Sequence, residues 1–167
     1  MINQAVKDAI NVQINNELYS SYAYLAMAAY CEHEQFVGCG KWLRMQSQEE
    51  HGHAMRLYDF LTARGGRVNL TAINAPQADY NSVAAVFIEA QKQEQTVTGQ
   101  INQLYELAMK EKAFAALVEL EWFITEQVEE EKTSREIVHK FEMVKDDPAS
   151  LLDLDREMGE RSVVDLA

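Results

Sequence analysis

The sequence predicts an all-α fold: a four-helix bundle with a long crossover between its second and third helices and a short fifth helix. Three observations lead there. Breakers are scarce, with 7 Gly and 2 Pro in 167 residues, so long stretches contain nothing that would end a helix. Four of those stretches carry inward-facing residues at alternating steps of three and four, the spacing of one helix face. One connection is also far longer than an antiparallel turn needs. The length suits one domain, residues 1–167, able to bury a sizeable core.

The first helix is expected over about 4–34, with Ile10, Ile14, Glu17, Ser21, Tyr24, Ala28 and Cys31 as its seam. Gly38 and Gly40 interrupt the run, and the second helix is expected over about 41–64, with Leu43, Gln46, Glu50, His53, Leu57 and Phe60 inward. Gly65-Gly66 provides its C-cap. Asn81-Ser82 can cap the third helix, about 82–110, whose seam is Val83, Phe87, Ala90, Glu94, Val97, Ile101, Leu104 and Ala108. After a brief break comes the fourth, about 114–145, with Ala116, Leu120, Phe123, Gln127, Glu130, Ser134, Ile137 and Phe141 inward. Asp147 as N-cap and Pro148 at the first helical position start the fifth, about 148–160. The connection from Gly66 to Asn81 can extend about 50 Å at roughly 3.3 Å per residue, whereas a helix of about 25 residues is only about 37 Å long. It can therefore run the length of the bundle and leave helices two and three parallel, with antiparallel hairpins on either side.

Composition narrows the function. A net charge of −12 leaves no basic patch to neutralise phosphates, so nucleic acid is not an expected partner. No stretch approaches the roughly 18 apolar residues of a membrane span, and MINQAVKDAI is no signal peptide. Cys31 and Cys39 fit neither a disulfide framework nor a Cys-x-x-Cys metal site. A soluble cytoplasmic protein without membrane partners is expected.

Each seam turns polar at its middle. Glu17, Glu50, His53, Glu94, Gln127 and Glu130 all occupy inward phases. Glu17 precedes Glu50 by 33 residues and Glu94 precedes Gln127 by 33; an offset of 77 carries 17, 50 and 53 onto 94, 127 and 130. Each half thus supplies one acid and a polar pair three residues apart, both members of which share a helix face. Four unpaired carboxylates in a core would be very costly, and their crowding would raise their pKa values. Two divalent cations balance the four negative charges of Glu17, Glu50, Glu94 and Glu130. Oxygen-rich ligation with one imidazole suits Fe, Mn or Zn better than Cu. A hydrogen-bonded network that merely sets register would not need four acids without any Arg or Lys in the seam.

Glu17, Glu50-x-x-His53, Glu94 and Gln127-x-x-Glu130, in that order on four helices, resemble the ferroxidase centre of bacterial non-haem ferritins, and the similarity extends over the whole chain. The resemblance implies a ferritin-like bundle that oxidises Fe(2+) with O2 or H2O2 at a di-iron site. The Fe(3+) would then pass into a ferric oxyhydroxide mineral inside a homo-oligomeric shell of 24 subunits. It places Glu17, Glu50 and His53 on the first iron, with Glu50 bridging to a second held by Glu94 and Glu130, and Gln127 beside it as a hydrogen-bonding side chain and poorer ligand. It further implies a third iron site from Glu49, Glu126 and Glu129 with Glu130. Tyr24, two turns after Glu17 on one stripe, would be a phenol able to donate an electron; Trp122 reads as a packed aromatic.

Departures from related families are equally informative. Bacterioferritins carry a second Glu-x-x-His pair and a haem-ligating Met; here the second pair is Gln127-x-x-Glu130 and His51 stands in place of the Met, so haem is not expected. The Cys-rich domain of rubrerythrins is absent, and miniature ferritins lack a fifth helix. Animal ferritins line a pore with acids at positions that here are Leu117 and Leu120, which puts that iron route in doubt. The rival readings are a non-storage di-iron carboxylate oxidase or peroxidase on the same bundle, and a metal-free helical scaffold.

Overall fold

The structure is a computed structural model that describes residues 2–162. The elements in order are α1 (Gln4–His33), α2 (Val37–Ala63), α3 (Val83–Lys110), α4 (Phe114–Val144) and α5 (Pro148–Gly159), with no strand among the described residues. No helix among them is long and apolar enough to cross a membrane.

The capping chemistry is local for three helices. The side chains of Asn3, Ser82 and Asp147 accept from the backbone N–H groups of Val6, Ala85 and Ser150, and Pro148 occupies the first helical position of α5. Three helices end in one geometry, in which a left-handed residue lets the next amide reach back past the last turn. Phe36 N–H donates to Cys31 O, Gly66 N–H to Leu61 O and Ala113 N–H to Ala108 O, each at 2.8 Å. The left-handed residues are Gln35 (φ 66°), Gly65 (φ 70°) and Lys112 (φ 53°). Gln35 and Lys112 are 77 residues apart, the offset that also relates the polar positions of the two hairpins.

α2 differs from the sequence expectation. It begins at Val37, so Gly38 and Gly40 lie inside it rather than interrupting the run, and the helix is four residues longer at its start than the expected 41–64. Its cap residue, Phe36, offers no side-chain hydrogen bond. Asp155 of α5 supplies it instead, accepting from Cys39 N–H at 2.8 Å and Gly38 N–H at 3.2 Å. The glycines permit this approach: a Cβ on Gly38 would lie 1.8 Å from the Asp155 carbonyl oxygen, and one on Gly40 would lie 2.6 Å from Glu32 Cγ. A partner distant in sequence thus outweighs the intrinsic cost of glycine in a helix.

Side-chain pairs give the directions. Ser21 meets Ser47 while Glu32 meets Arg44, so α1 and α2 are antiparallel. Tyr24 meets Glu94 while Asn3 meets Glu111, so α1 and α3 are antiparallel as well. α2 and α3 therefore run parallel, as the long connection predicts. That connection is laced to α1: Asn11 donates to Arg67 O and accepts from Asn69 N–H, and Asn15, one turn on, donates to Asn69 O and accepts from Thr71 N–H.

The apolar interior is divided. One cluster holds Met27, Cys31, Trp42, Leu43, Phe87, Phe141 and Leu154 at the end closed by α5. The other holds Val6, Ile10, Ile14, Leu57, Leu61, Ile101, Leu104 and Phe123. Between them lies a buried polar layer.

Candidate metal centre

Glu17 from α1, Glu50 and His53 from α2, Glu94 from α3, and Gln127 and Glu130 from α4 form that layer, and all are buried. Glu17 is fully buried and Glu130, the most accessible, is 7% exposed. Their ligand atoms fall into overlapping groups whose members lie within 4.8 Å of one another. Glu17, Glu50 and His53 make the first; Glu50, Glu94 and Glu130 make the second, so Glu50 belongs to both. A third joins Glu49, His53, Glu126 and Glu130. Glu129 is exposed and stands outside all three, although it lines the same cleft. The third group thus includes His53, which the sequence assigned only to the first iron.

The hydrogen bonds orient the carboxylates without neutralising them. Tyr24 donates its phenol proton to Glu94 Oε1. Gln127 Nε2 donates to Glu94 Oε2, the Glu94 carbonyl and Thr98 Oγ1 at 3.2–3.3 Å. Gln13 donates to Glu17 Oε1 at 2.8 Å, and Gln46 donates to Glu50 Oε1 at 3.2 Å and Glu130 Oε2 at 2.9 Å. Among the described residues, no Lys or Arg forms an ion pair with Glu17, Glu50, Glu94 or Glu130. Glu17 Oε2 and Glu50 Oε2 are buried without any hydrogen-bond partner.

Burial, unrelieved by counter-charge, governs the protonation of these groups. It pushes Glu17 up to about 6 and Glu94 up to about 7. Glu50 and Glu130 are raised well above the usual range, first by burial and then by the facing carboxylates, Glu94 foremost. Burial, assisted by Arg56, lowers His53 to about 4, so the imidazole is neutral. Its Nδ1 lies 3.3 Å from Glu50 Oε2 and its Nε2 lies 4.0 Å from Glu126 Oε1. That Glu50 oxygen has no hydrogen-bond partner, and a cation between it and the ring nitrogen would coordinate both. The donor set therefore fits hard or borderline divalent cations.

The surroundings separate ligands from packing. Trp122 sits edge-on to His53, with ring centroids 5.4 Å apart, while the Arg56 guanidinium covers the indole at 4.1 Å and pairs with Glu119. A cleft of about 1420 Å³ between α2 and α4 opens onto Glu49, His53, Glu126, Glu129 and Glu130. His33, His51 and His139 are exposed and away from the layer. Leu120 is buried in the core and Leu117 packs half-buried against it. Cys31 and Cys39 are free, buried thiols; burial pushes Cys31 up to about 12, which leaves it unreactive.

Sequence reasoning did not assign Gln13 or Gln46 a role, nor Asp155 and Arg161 at all. The two glutamines carry a legible signal, since each lies one turn before an inward Glu. Asp155 and Arg161 carry none, because their partners lie more than 100 residues away.

The chain matches the family model described as a ferritin-like domain over residues 7–144. It is similar to a bacterial non-heme ferritin of Staphylococcus saprophyticus, 36% identical over 162 residues and 97% of each chain. A bacterial non-heme ferritin of Staphylococcus aureus is 33% identical over 97% of this chain and 98% of its own. Among solved structures, an open pore ferritin from the archaeon Archaeoglobus fulgidus superposes with a TM-score of 0.96 at 42% identity, covering 97% of this chain and 100% of that one.

Proposed function

The chain belongs to the ferritin-like family, and from that premise we propose that it stores and detoxifies iron, oxidising Fe(2+) at a two-metal centre inside each subunit. The observation that carries the reading is the convergence of four buried, uncompensated carboxylates and one neutral imidazole from four helices, with Glu50 shared between two groups. Iron is the substrate. One Fe(2+) binds Glu17, Glu50 and His53; a second binds Glu50, Glu94 and Glu130 and is held more weakly, since Gln127 contributes no charge there. Entering cations displace protons from Glu50 and Glu130, which restores the charge balance of the layer. Each Fe(2+) gives up one electron. O2 that accepts two electrons and two protons becomes H2O2; H2O2 that accepts two electrons and two protons becomes two waters. Tyr24, hydrogen-bonded to Glu94, stands where a further electron can be supplied.

The product Fe(3+) leaves through the acidic cleft for a ferric oxyhydroxide mineral enclosed by a homo-oligomer of 24 subunits in the cytoplasm. A third iron site at Glu49, Glu126 and Glu130, with Glu129 at its margin, lies on that path.

Anaerobic Fe(2+) titration followed by exposure to O2 tests the proposal. Two equivalents per chain are expected, the first tighter than the second, then rapid oxidation and growth of a mineral within a large particle. Glu50→Ala or His53→Ala should slow the rapid phase by roughly a hundredfold or more while the far-ultraviolet spectrum stays helical. Unchanged oxidation in a folded variant would sink the site assignment. A particle that stays small and turns over an organic substrate would favour a di-iron oxidase instead.

A further inference from the structure

Beyond the end of α5, the side chain of Arg161 turns back into the bundle. Its Nη2 donates to Glu49 Oε2 at 2.6 Å, and its Nη1 donates to Gln46 Oε1 at 2.9 Å and to the Trp42 carbonyl at 3.3 Å. The guanidinium carbon lies 4.5 Å above the Trp42 ring. The side chains of Arg161 and Glu49 are only 12% and 13% exposed, so this is an enclosed ion pair rather than a surface one.

Donor and acceptor types then fix the neighbouring contacts. Arg has only donors, so Gln46 must present its oxygen to Arg161. Its amide nitrogen is thereby directed to Glu130 and Glu50. Arg161 also holds Glu49, a member of the third acid group. That group shares Glu130 with the two-metal centre, and Glu49 and Glu126 are its remaining acids. One of those two charges is already met by the guanidinium.

We propose that Arg161 is a built-in counter-cation of the third acid group, which a divalent cation must displace from Glu49 in order to bind there. The proposal rests on the two-metal reading of the centre and adds an order to it: the third site is the weakest of the three and fills last. It also couples that site to α5, because whatever frees Arg161 from Glu49 frees the end of α5 from Gln46 and Trp42. By reciprocity, a modification that loosens the end of α5 tightens the third site.

The test uses the assembled protein, stripped of metal by a chelator and titrated calorimetrically with Zn(2+), which binds without redox chemistry. Arg161→Gln should tighten the third equivalent by roughly tenfold or more, since one charge about 6 Å from a divalent cation is worth about that factor even in a water-like dielectric and the pair here is enclosed. Arg161→Lys keeps the charge and should leave that equivalent as weak as in the parent chain. In a Trp122→Phe background, which removes the indole beside His53, the third equivalent should change the Trp42 emission, and Trp42→Phe should abolish the change. A third equivalent that is unaltered or weaker in Arg161→Gln overturns the proposal, as does a Trp42 signal that does not respond. If the first two equivalents bind normally in either case, only this inference fails. If neither binds in any variant, the two-metal reading fails and takes this inference with it.

Discussion

At Glu50 one carboxylate belongs to two candidate cation groups while burial and three facing acids oppose its charge. The cost is borne by the metal-free protein and reversed by the cation. Glu17 and Glu94, raised to about 6 and about 7, keep protons in the folded state that an unfolded Glu releases near pH 4.3. The four raised carboxylates, opposed only by His53 with its pKa lowered to about 4, make the folded metal-free layer bind more protons than the unfolded chain between about pH 4.5 and pH 7, and its contribution to stability falls as pH rises through that window. Denaturant midpoints of chelator-treated protein should drop from pH 5 to pH 8, and the drop should shrink in Glu94→Gln; a flat profile in the parent chain would contradict burial of these carboxylates as the cause. Cation affinity should move the opposite way, rising over the same window as the ligands lose protons. Glu50→Gln keeps the volume and removes an ionisation that only the unfolded chain gains in the absence of metal. It should raise the stability of the metal-free protein at pH 7–8 by about 1 kcal/mol while weakening cation binding.

At the scale of elements, the two hairpins are built alike. Their turns pass through Gln35 and Lys112 in the same left-handed conformation, and α2 and α4 each start two residues later. A side chain there is strained by about 1 kcal/mol relative to glycine. Lys112→Gly should therefore add about 0.5–1 kcal/mol to stability, read as a shift of the denaturant midpoint at constant slope. The fifth helix departs from the repeat and closes one end of the bundle. Asp155→Ala removes the cap of α2 and should cost about 1–2 kcal/mol. Gly38→Ala places a methyl group inside contact distance of the Asp155 carbonyl and should cost about 2 kcal/mol or more, with faster hydrogen exchange in α5 than in α3.

For the molecule as a whole, the polar layer separates two apolar clusters that would otherwise form one core. It is the least self-sufficient part of the bundle, and cations that bind only the folded state stabilise it by mass action. Zn(2+) at about a hundred times its dissociation constant should add about 2.7 kcal/mol per site. That corresponds to a melting shift of roughly 5–10 °C for a chain of this size. A melting temperature indifferent to Zn(2+) in the parent chain, or equally responsive in Glu17→Ala/Glu50→Ala, would show that the layer is not where cations act.

Much of the fold and the site was legible in the sequence because helix period is a local property. Steps of three and four fix which side chains share a face, so Glu17, Glu50, His53, Glu94, Gln127 and Glu130 fall inward together, and a connection long enough to span the bundle decides that α2 and α3 run parallel. The caps at Ser82 and Asp147 are local for the same reason. Only the tertiary structure decided what depends on approach between distant segments. It showed that Gly38 and Gly40 belong within α2, because Asp155 caps it from α5. It also showed that His53 stands beside Glu49, Glu126 and Glu130 while Glu129 lies on the exposed edge of the same cleft, because an exposed flank and an enclosed one have the same spacing. Arg161 lies 112 residues from Glu49, and no periodicity connects them. Their pairing exists because α5 folds back on α2, which brings a guanidinium to an acid at the margin of the polar layer.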